Sequence, residues 1–574
     1  MNKSPISNLF SPAFVGKAAL VVTLALLAAP QLWYPLGFDQ GVYAACGDVI
    51  RRGGVPIQDC FETKQPGVMV MYAIPMLFTR EPMAIHAFTL LWTALTAAVI
   101  GQIAGRLFGA RAAWPAAVFY WLAYAGINYW SMDQAETFAN LFLVVALFAV
   151  WRAGEGRGQR SEGRSQKSAA GGQRQEEGRK GSSISNLQSL ISHLSSLSPF
   201  WLAVAGMCIG IAFWFKYVFA LIAMALALVL LLHVRLRAHS WRLALGDGFL
   251  FGLISLGVAG LGLLYFVLNN ALPALVSQFQ FLLAAFPLGP PRTPLEIAGE
   301  MARFFNNGAD VTGNFKATVP QWIILGGGFP VLLVLAALGA WQRLRGAPVL
   351  YAYLLAHFLA AAAVVIWQAN YIQYHYTIMI PAFVLAASAV KFDLTGEGRA
   401  VKRWLSAAPA ALAALVIALL AVRMLPWVGD MVENVVLLHK SPRSIYRESD
   451  VAPNVPVAEY IDAHTGPDDS IAIFGDAPWV YTLARRRNAT RFSFVNLWLR
   501  KRTAVTYPLF TGQYLDGLQR NRPAYFILTK ANFPWPNNDY IPDYKATGAI
   551  YNYVESHYAY EGENGPFLLF RRKS

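Results

Sequence analysis

Charge is what this sequence has least of. Only 14% of its 574 residues are Asp, Glu, Lys or Arg, against roughly 25% in ordinary soluble domains, while 56% are hydrophobic. Such a composition excludes a water-soluble globule and defines a membrane chain. Cysteine is also scarce. Cys46, Cys60 and Cys208 are the only three, too few for a disulfide-framework fold, and neither a CxxC nor an HExxH pattern occurs. Internal repeats, the usual mark of a secondary transporter, are not evident either.

What is present in quantity is apolar sequence. A helix needs roughly 20 apolar residues to cross about 30 Å of hydrocarbon. Runs of that kind lie near 15–36, 83–104, 112–127, 136–151, 199–215, 218–233, 245–268, 320–341, 348–366, 375–390 and 405–425, with 66–79 as a shallow helix or part of a span. They predict an all-α polytopic domain over 1–425 with about 11 transmembrane helices, because lipid leaves backbone polar groups no partner but each other.

The sparse charges carry the topology. Lys3 and Lys17, Arg106 and Arg111, the stretch 152–198, Arg235, Arg237 and Arg242, Arg343 and Arg345, and Lys391, Arg399, Lys402 and Arg403 fall in alternate loops. Loops retaining Lys and Arg are cytoplasmic, so the N-terminus is predicted inside. The net charge of +15 is thereby explained without nucleic acid. No A-x-A-like site follows the first run, which reads as an uncleaved span in the inner, cytoplasmic membrane.

Two segments have other compositions. The Gly-, Ser-, Gln- and Arg-rich 152–198 predicts a disordered cytoplasmic linker. Beyond 425, the pattern predicts an amphipathic helix ending near His464, a turn at Gly466 and Pro467, and a buried strand Ser470 to Phe474. A helix from near Pro478 and strands in Arg491 to Phe494, "RPAYFILTK" and "GPFLLFRRKS" follow. Residues 426–574 therefore form a small α/β domain, which an odd number of crossings places outside.

The first outer loop, 37–82, gathers unusual chemistry directly after a lipid-soluble run: Asp39, Asp59, Glu62 and Lys64 among glycines and prolines. A carboxylate just past a span end stands at headgroup level, where an ionised group is tolerated. Asp39 also suits the N-cap of "QGVYAACGDVIRRGG", with Gly53 and Gly54 as the stop. Cys46 and Cys60 share this loop; they can pair in an oxidising compartment, or remain two small buried side chains.

"FDQGVYAACGDVIRRGGVPIQDCFETKQPG" resembles the first extracytoplasmic loop of the GT-C superfamily, polytopic glycosyltransferases that use polyprenyl-phosphate sugars, such as aminoarabinose transferases and protein O-mannosyltransferases. There an Asp after the first span, often followed by Glu, opens a loop running through "G.PY.D" to "K.P". Asp39, Gly54 with Pro56, Asp59, and Lys64 with Pro66 match, and Gln40 stands where the second acid is usual. "NYWSMDQAETFANLFL" is similar to the second outer loop, through Asp133 or Glu136. "IGIAFWFKYVFAL" and "QYHYTIMIPAFVLAAS" are similar to later segments carrying Lys216 and His375.

The resemblance implies an integral membrane glycosyltransferase of GT-C type that moves a sugar from a polyprenyl-phosphate donor to a glycan, lipid or protein acceptor at the outer membrane face. Asp39 is the expected catalytic base, and Lys64, Lys216 and His375 the expected donor-phosphate ligands. Asp133 and Glu136, which three-residue spacing places on one helix face, are expected with Asp59 and Glu62 to hold the acceptor or a divalent cation. The loop 269–319, with Arg292, Arg303, Asn306, Asn307 and Lys316, is long enough for a lid. A transporter or flippase of lipid-linked saccharides, and a non-catalytic membrane scaffold, are the alternatives.

Overall fold

Long apolar stretches become long helices. The computed structural model describes residues 12–127, 129–169, 198–285, 292–307, 328–369, 371–391, 400–449, 451–500, 502–530 and 539–574. Among them seven helices are long and apolar enough to cross a membrane: Val15–Trp33, Pro82–Phe108, Ala135–Gly156, Tyr217–Ala238, Trp241–Leu268, Pro348–Gln368 and Ala408–Leu437. The other expected crossings correspond to shorter apolar helices, Ala113–Ala125, Ser198–Phe213, Phe329–Arg343 and Tyr374–Ser388. The run at 66–79 is the short helix Pro66–Met76. Trp241–Leu268 is barely covered by protein, with 11% of its apolar window buried, as expected of a helix facing lipid.

One expectation about the irregular segments is corrected. Disorder does not begin at residue 152: the helix Ala135–Ala169 continues for 35 residues. Arg, Glu, Gln, Lys and Ala dominate its extension, and a helix already nucleated in the span propagates through good helix formers. Residues 170–197 of the predicted linker lie outside the described residues. The stretch 269–319 contains the helices Leu272–Ala285 and Pro294–Asn307. Lys316 and the side chains of Arg303, Asn306 and Asn307 lie outside the described residues.

The first outer loop is built around the helix Phe38–Arg51. Its N-cap is Gly37, and the Gln40 side chain supplies the reciprocal capping contact by accepting from the Gly37 N–H. The same amide donates to the Met132 carbonyl at 2.6 Å. Asp39 therefore sits in the first turn without serving as the cap. Gly53, at φ 86°, stops the helix in the left-handed region open to glycine. Cys46 and Cys60 form a disulfide, with their Cα atoms 5.3 Å apart, which fastens the helix to the returning chain.

The C-terminal domain holds a five-stranded sheet in the order β2-β1-β3-β5-β4. Its strands are β1 Ser470–Phe474, β2 Arg487–Asn488, β3 Tyr525–Thr529, β4 Tyr558–Asn564 and β5 Phe567–Arg572. β1 runs parallel to β2 and β3, while β5 is antiparallel to β3 and β4. The central strands β1 and β3 are buried throughout, which accounts for their unbroken apolar sequences.

Arg491 to Phe494 is not a sheet strand. Phe492 instead makes an isolated bridge to Phe61 of the first loop, and the Phe61 N–H donates to the Arg491 carbonyl at 2.6 Å. Phe61 packs on Phe281, Phe492 and Phe510, with centroids 5.7, 5.4 and 4.9 Å away. A second tie is the Trp479 indole, which donates to the Leu36 carbonyl at 2.6 Å. Loop and C-terminal domain thus share one side of the helical domain.

Replacing both cysteines, Cys46→Ser with Cys60→Ser, is expected to cost about 3 kcal/mol, the chain-entropy value for a loop of about 15 residues. The check is thermal unfolding in detergent: a reductant should lower the wild-type Tm toward that of the double variant and leave the variant unmoved.

Candidate active site

Asp39 and Lys64 converge. The Lys64 Nζ lies 3.1 Å from Asp39 Oδ2 and 3.6 Å from Glu62 Oε1, and stands 5.5 Å over the Tyr43 ring. The Tyr374 hydroxyl donates to the same Asp39 oxygen at 2.6 Å. Side-chain exposures of 23% for Asp39 and 16% for Lys64 keep both within reach of a ligand. Burial pushes the Asp39 carboxyl up, but the Lys64 charge and the hydrogen bonds from Tyr374 and Lys64 hold it below its ordinary value. Burial pulls the Lys64 ammonium down, and the Asp39 and Glu62 carboxylates raise it above its own. At neutral pH the two are an ion pair.

The turn after Lys64 brings a second lysine beside the first. The Gly67 N–H donates to the Trp214 carbonyl at 2.8 Å, and a Cβ at Gly67 would stand 2.6 Å from that oxygen, so the approach requires glycine. Gln65 accepts from the Tyr217 N–H at 3.2 Å, while Gln278 donates to the carbonyls of Glu62 and Lys64 at 2.6 and 3.0 Å. Lys216, between Trp214 and Tyr217, pairs with Glu136 and donates to Gln368 Oε1 at 2.9 Å. Its Nζ is 5.4 Å over the Tyr374 ring. Two acid–lysine pairs thus flank one tyrosine.

His375 is buried beside them, 4.5 Å from the Tyr374 ring, and its Nδ1 has no partner among the described residues. Glu136 Oε2 is likewise buried and unpartnered there. Glu62 caps its own turn, accepting from Thr63 Oγ1 at 2.8 Å and from the Lys64 N–H at 3.3 Å.

Two expected members stand apart. Asp59 accepts from the Val55 N–H at 2.7 Å and lines a separate cleft. Asp133 and Glu136 do not share a helix face, because the helix begins at Ala135 and Asp133 precedes it in a left-handed conformation, φ 55°. Asp133 meets His86 Nδ1 at 2.6 Å, and His86 Nε2 meets the Tyr34 carbonyl at 3.0 Å. Among the described residues no three His, Cys, Asp or Glu side chains group as a metal would require.

Sequence reasoning missed Tyr374, Gln368, Tyr43 and His86. Tyr374 adjoins His375, but an interfacial aromatic belt accounts for a tyrosine at that depth. A glutamine near a span end and a histidine within a span carry no local pattern that names their partners.

Spanning helices with a small sheet domain define a multi-pass membrane protein. No protein-family model and no curated protein matches the sequence. Among solved structures the chain is similar to ArnT from Cupriavidus metallidurans bound to undecaprenyl phosphate, with TM-score 0.51 and 14% identity over 98% of each chain. The apo state of that protein gives TM-score 0.49 and 13% identity over 97% of this chain and 98% of the other. The Archaeoglobus fulgidus oligosaccharyltransferase in complex with zinc and sulfate gives 0.42 and 10%, over 88% of this chain and 68% of that one. The chain has a fold like that of ArnT.

Two outcomes check this geometry. With Asp39 held below its ordinary value, its contribution to stability is present above the unfolded carboxylate value of about 4 and is lost as pH falls through the lower folded value. The Tm difference between wild type and Asp39→Asn should stay constant from about pH 6 to 8 and shrink in acid; a difference indifferent to pH would refute the pairing. Gly67→Ala should cost about 1–3 kcal/mol through overpacking, visible as a lowered Tm.

Proposed function

We propose that the chain is an integral membrane glycosyltransferase that moves a sugar from a polyprenyl-phosphate donor to an acceptor at the outer face of the inner membrane. The observation that carries this reading is the convergence of Asp39, Lys64, Lys216 and Tyr374 beyond the end of the first span. The ArnT structure contains undecaprenyl phosphate, which supports a lipid phosphate as the partner. Retention of Lys and Arg on alternate loops supports a cytoplasmic N-terminus, with the first loop and the C-terminal domain together outside.

The chemistry follows from the charges. A phosphate entering beside Lys64 competes with Asp39 for the ammonium. Lys64 and Lys216 hold phosphate oxygens, and the hold strengthens as the glycosidic C–O bond breaks and the departing phosphate keeps the electron pair. That differential binding is what catalysis requires. Released from Lys64, Asp39 loses the charge that depressed it and becomes a better base. The acceptor hydroxyl or amine attacks the anomeric carbon and its proton passes to Asp39, while Tyr374 and His375 are placed to hydrogen-bond the phosphate or sugar.

Glu136, through its unpartnered Oε2, and Glu62 are proposed to meet the acceptor. Asp59 and Asp133, engaged elsewhere, are left to supporting roles.

The test uses purified protein with a panel of labelled polyprenyl-phosphate sugars. Sugar transfer or donor hydrolysis should fall about 10²- to 10⁴-fold in Asp39→Asn, the usual worth of a placed general base. Movement of lipid-linked sugar across vesicles that survives Asp39→Asn, with no transfer, would overturn the enzyme in favour of a transporter.

A further inference from the structure

A cleft away from Asp39 lies on the far side of the first loop. It opens toward the other end of the helix Phe38–Arg51, between the first loop, the helix Leu272–Ala285 and the outer domain, with a volume of ≈ 780 Å³. That is the size of a small-ligand site, about 300–1,000 Å³. Arg52, at its wall, follows Asp39 by a helical rise of about 20 Å, so the two sites are separate.

The lining is strongly basic. Six arginines line it against three aspartates; Arg486 is spent on Asp462 at 2.9 Å, which leaves the others to share the lining carboxylates. Asp48 is shared by Arg51, Arg52 and Arg80, at 2.7, 2.8 and 3.1 Å, and Asp59 is occupied by a backbone N–H. Among the described residues the Arg487 side chain meets only the Asp468 carbonyl, at 2.6 Å. Arg520 is exposed and makes no hydrogen bond or ion pair among the described residues.

Two further donors are buried and unspent. Arg491 lies between the rings of Phe61 and Phe492, 5.4 and 5.5 Å from their centroids, and donates to Gln513 at 2.9 Å and to the Ile57 carbonyl. Its Nε has no partner among the described residues, and neither does Asn488 Nδ2. Buried donors left unsatisfied are costly. Guanidinium groups supply planar paired donors that fit tetrahedral oxyanions. Arg52 and Arg80 contribute from the membrane-proximal side, Arg487, Arg491 and Arg520 from the outer domain.

We propose that this cleft is a second binding site, taking a phosphate-class oxyanion: a free di- or polyphosphate, or the phosphate of an anionic lipid headgroup. The bound anion bridges the outer domain to the disulfide-closed loop that leads to Lys64. The inference does not rest on the glycosyl-transfer reading.

The experiment uses the full chain in detergent, titrated with inorganic pyrophosphate and followed by calorimetry and by thermal unfolding, with chloride at equal ionic strength as control. Saturable binding and a raised Tm are expected, weakening with salt as exposed charges are screened. The double variant Arg487→Gln, Arg520→Gln, both surface positions, should weaken binding by about tenfold or more. The single Arg520→Gln should fall between. In parallel, the chain is placed in nanodiscs of phosphatidylglycerol or of phosphatidylcholine. A stabilisation by phosphatidylglycerol that the double variant loses, with pyrophosphate silent, assigns the site to a lipid headgroup. Silence in both arms, or binding untouched by the arginine substitutions, overturns the proposal.

Discussion

An ion pair in a partly dry site is expensive to make unless the surrounding structure holds it. The pairing of Asp39 with Lys64 exists because three constraints meet: a helix that starts as the chain leaves the lipid, a disulfide that returns the loop to that helix, and a glycine that lets the returning turn lie against the Trp214 backbone. The last of these also sets Lys216 beside the pair. Every charge in the cluster has an opposite neighbour, so the site is near neutral as it stands.

The outer domain is part of that arrangement. Phe61, one residue from Cys60, is inserted among aromatic side chains of the C-terminal domain and of the helix Leu272–Ala285. Lys64 lies three residues further on. The position of the lysine therefore depends on a sheet domain whose residues lie more than four hundred positions away in sequence.

Local signals were readable and tertiary ones were not. Apolar runs, the strands in Ser470 to Phe474 and "RPAYFILTK", and the glycine stop of the first outer helix each depend on a handful of adjacent residues. Asp39 and Lys64 could be paired because both fall in one short loop and match one family pattern. Asp133 and Glu136 were separated by a helix start two residues later than spacing suggests, which no periodicity could reveal. Arg491 to Phe494 had the composition of a strand, yet its partner is a loop from the other end of the chain. Tyr374 was hidden because a membrane interface explains tyrosines without assigning them work, and the cysteine pairing stayed open because fourteen residues of separation allow it without requiring it.

Gln40 carries one more consequence. Its oxygen receives the Gly37 N–H and its nitrogen serves the Met132 carbonyl, so the residue must be ambident, giving at one end and receiving at the other. A glutamate could do only the second of these, and a lysine only the first. The splice between these two loops is thus written for an amide, and the negative charge at the start of the helix Phe38–Arg51 is confined to Asp39.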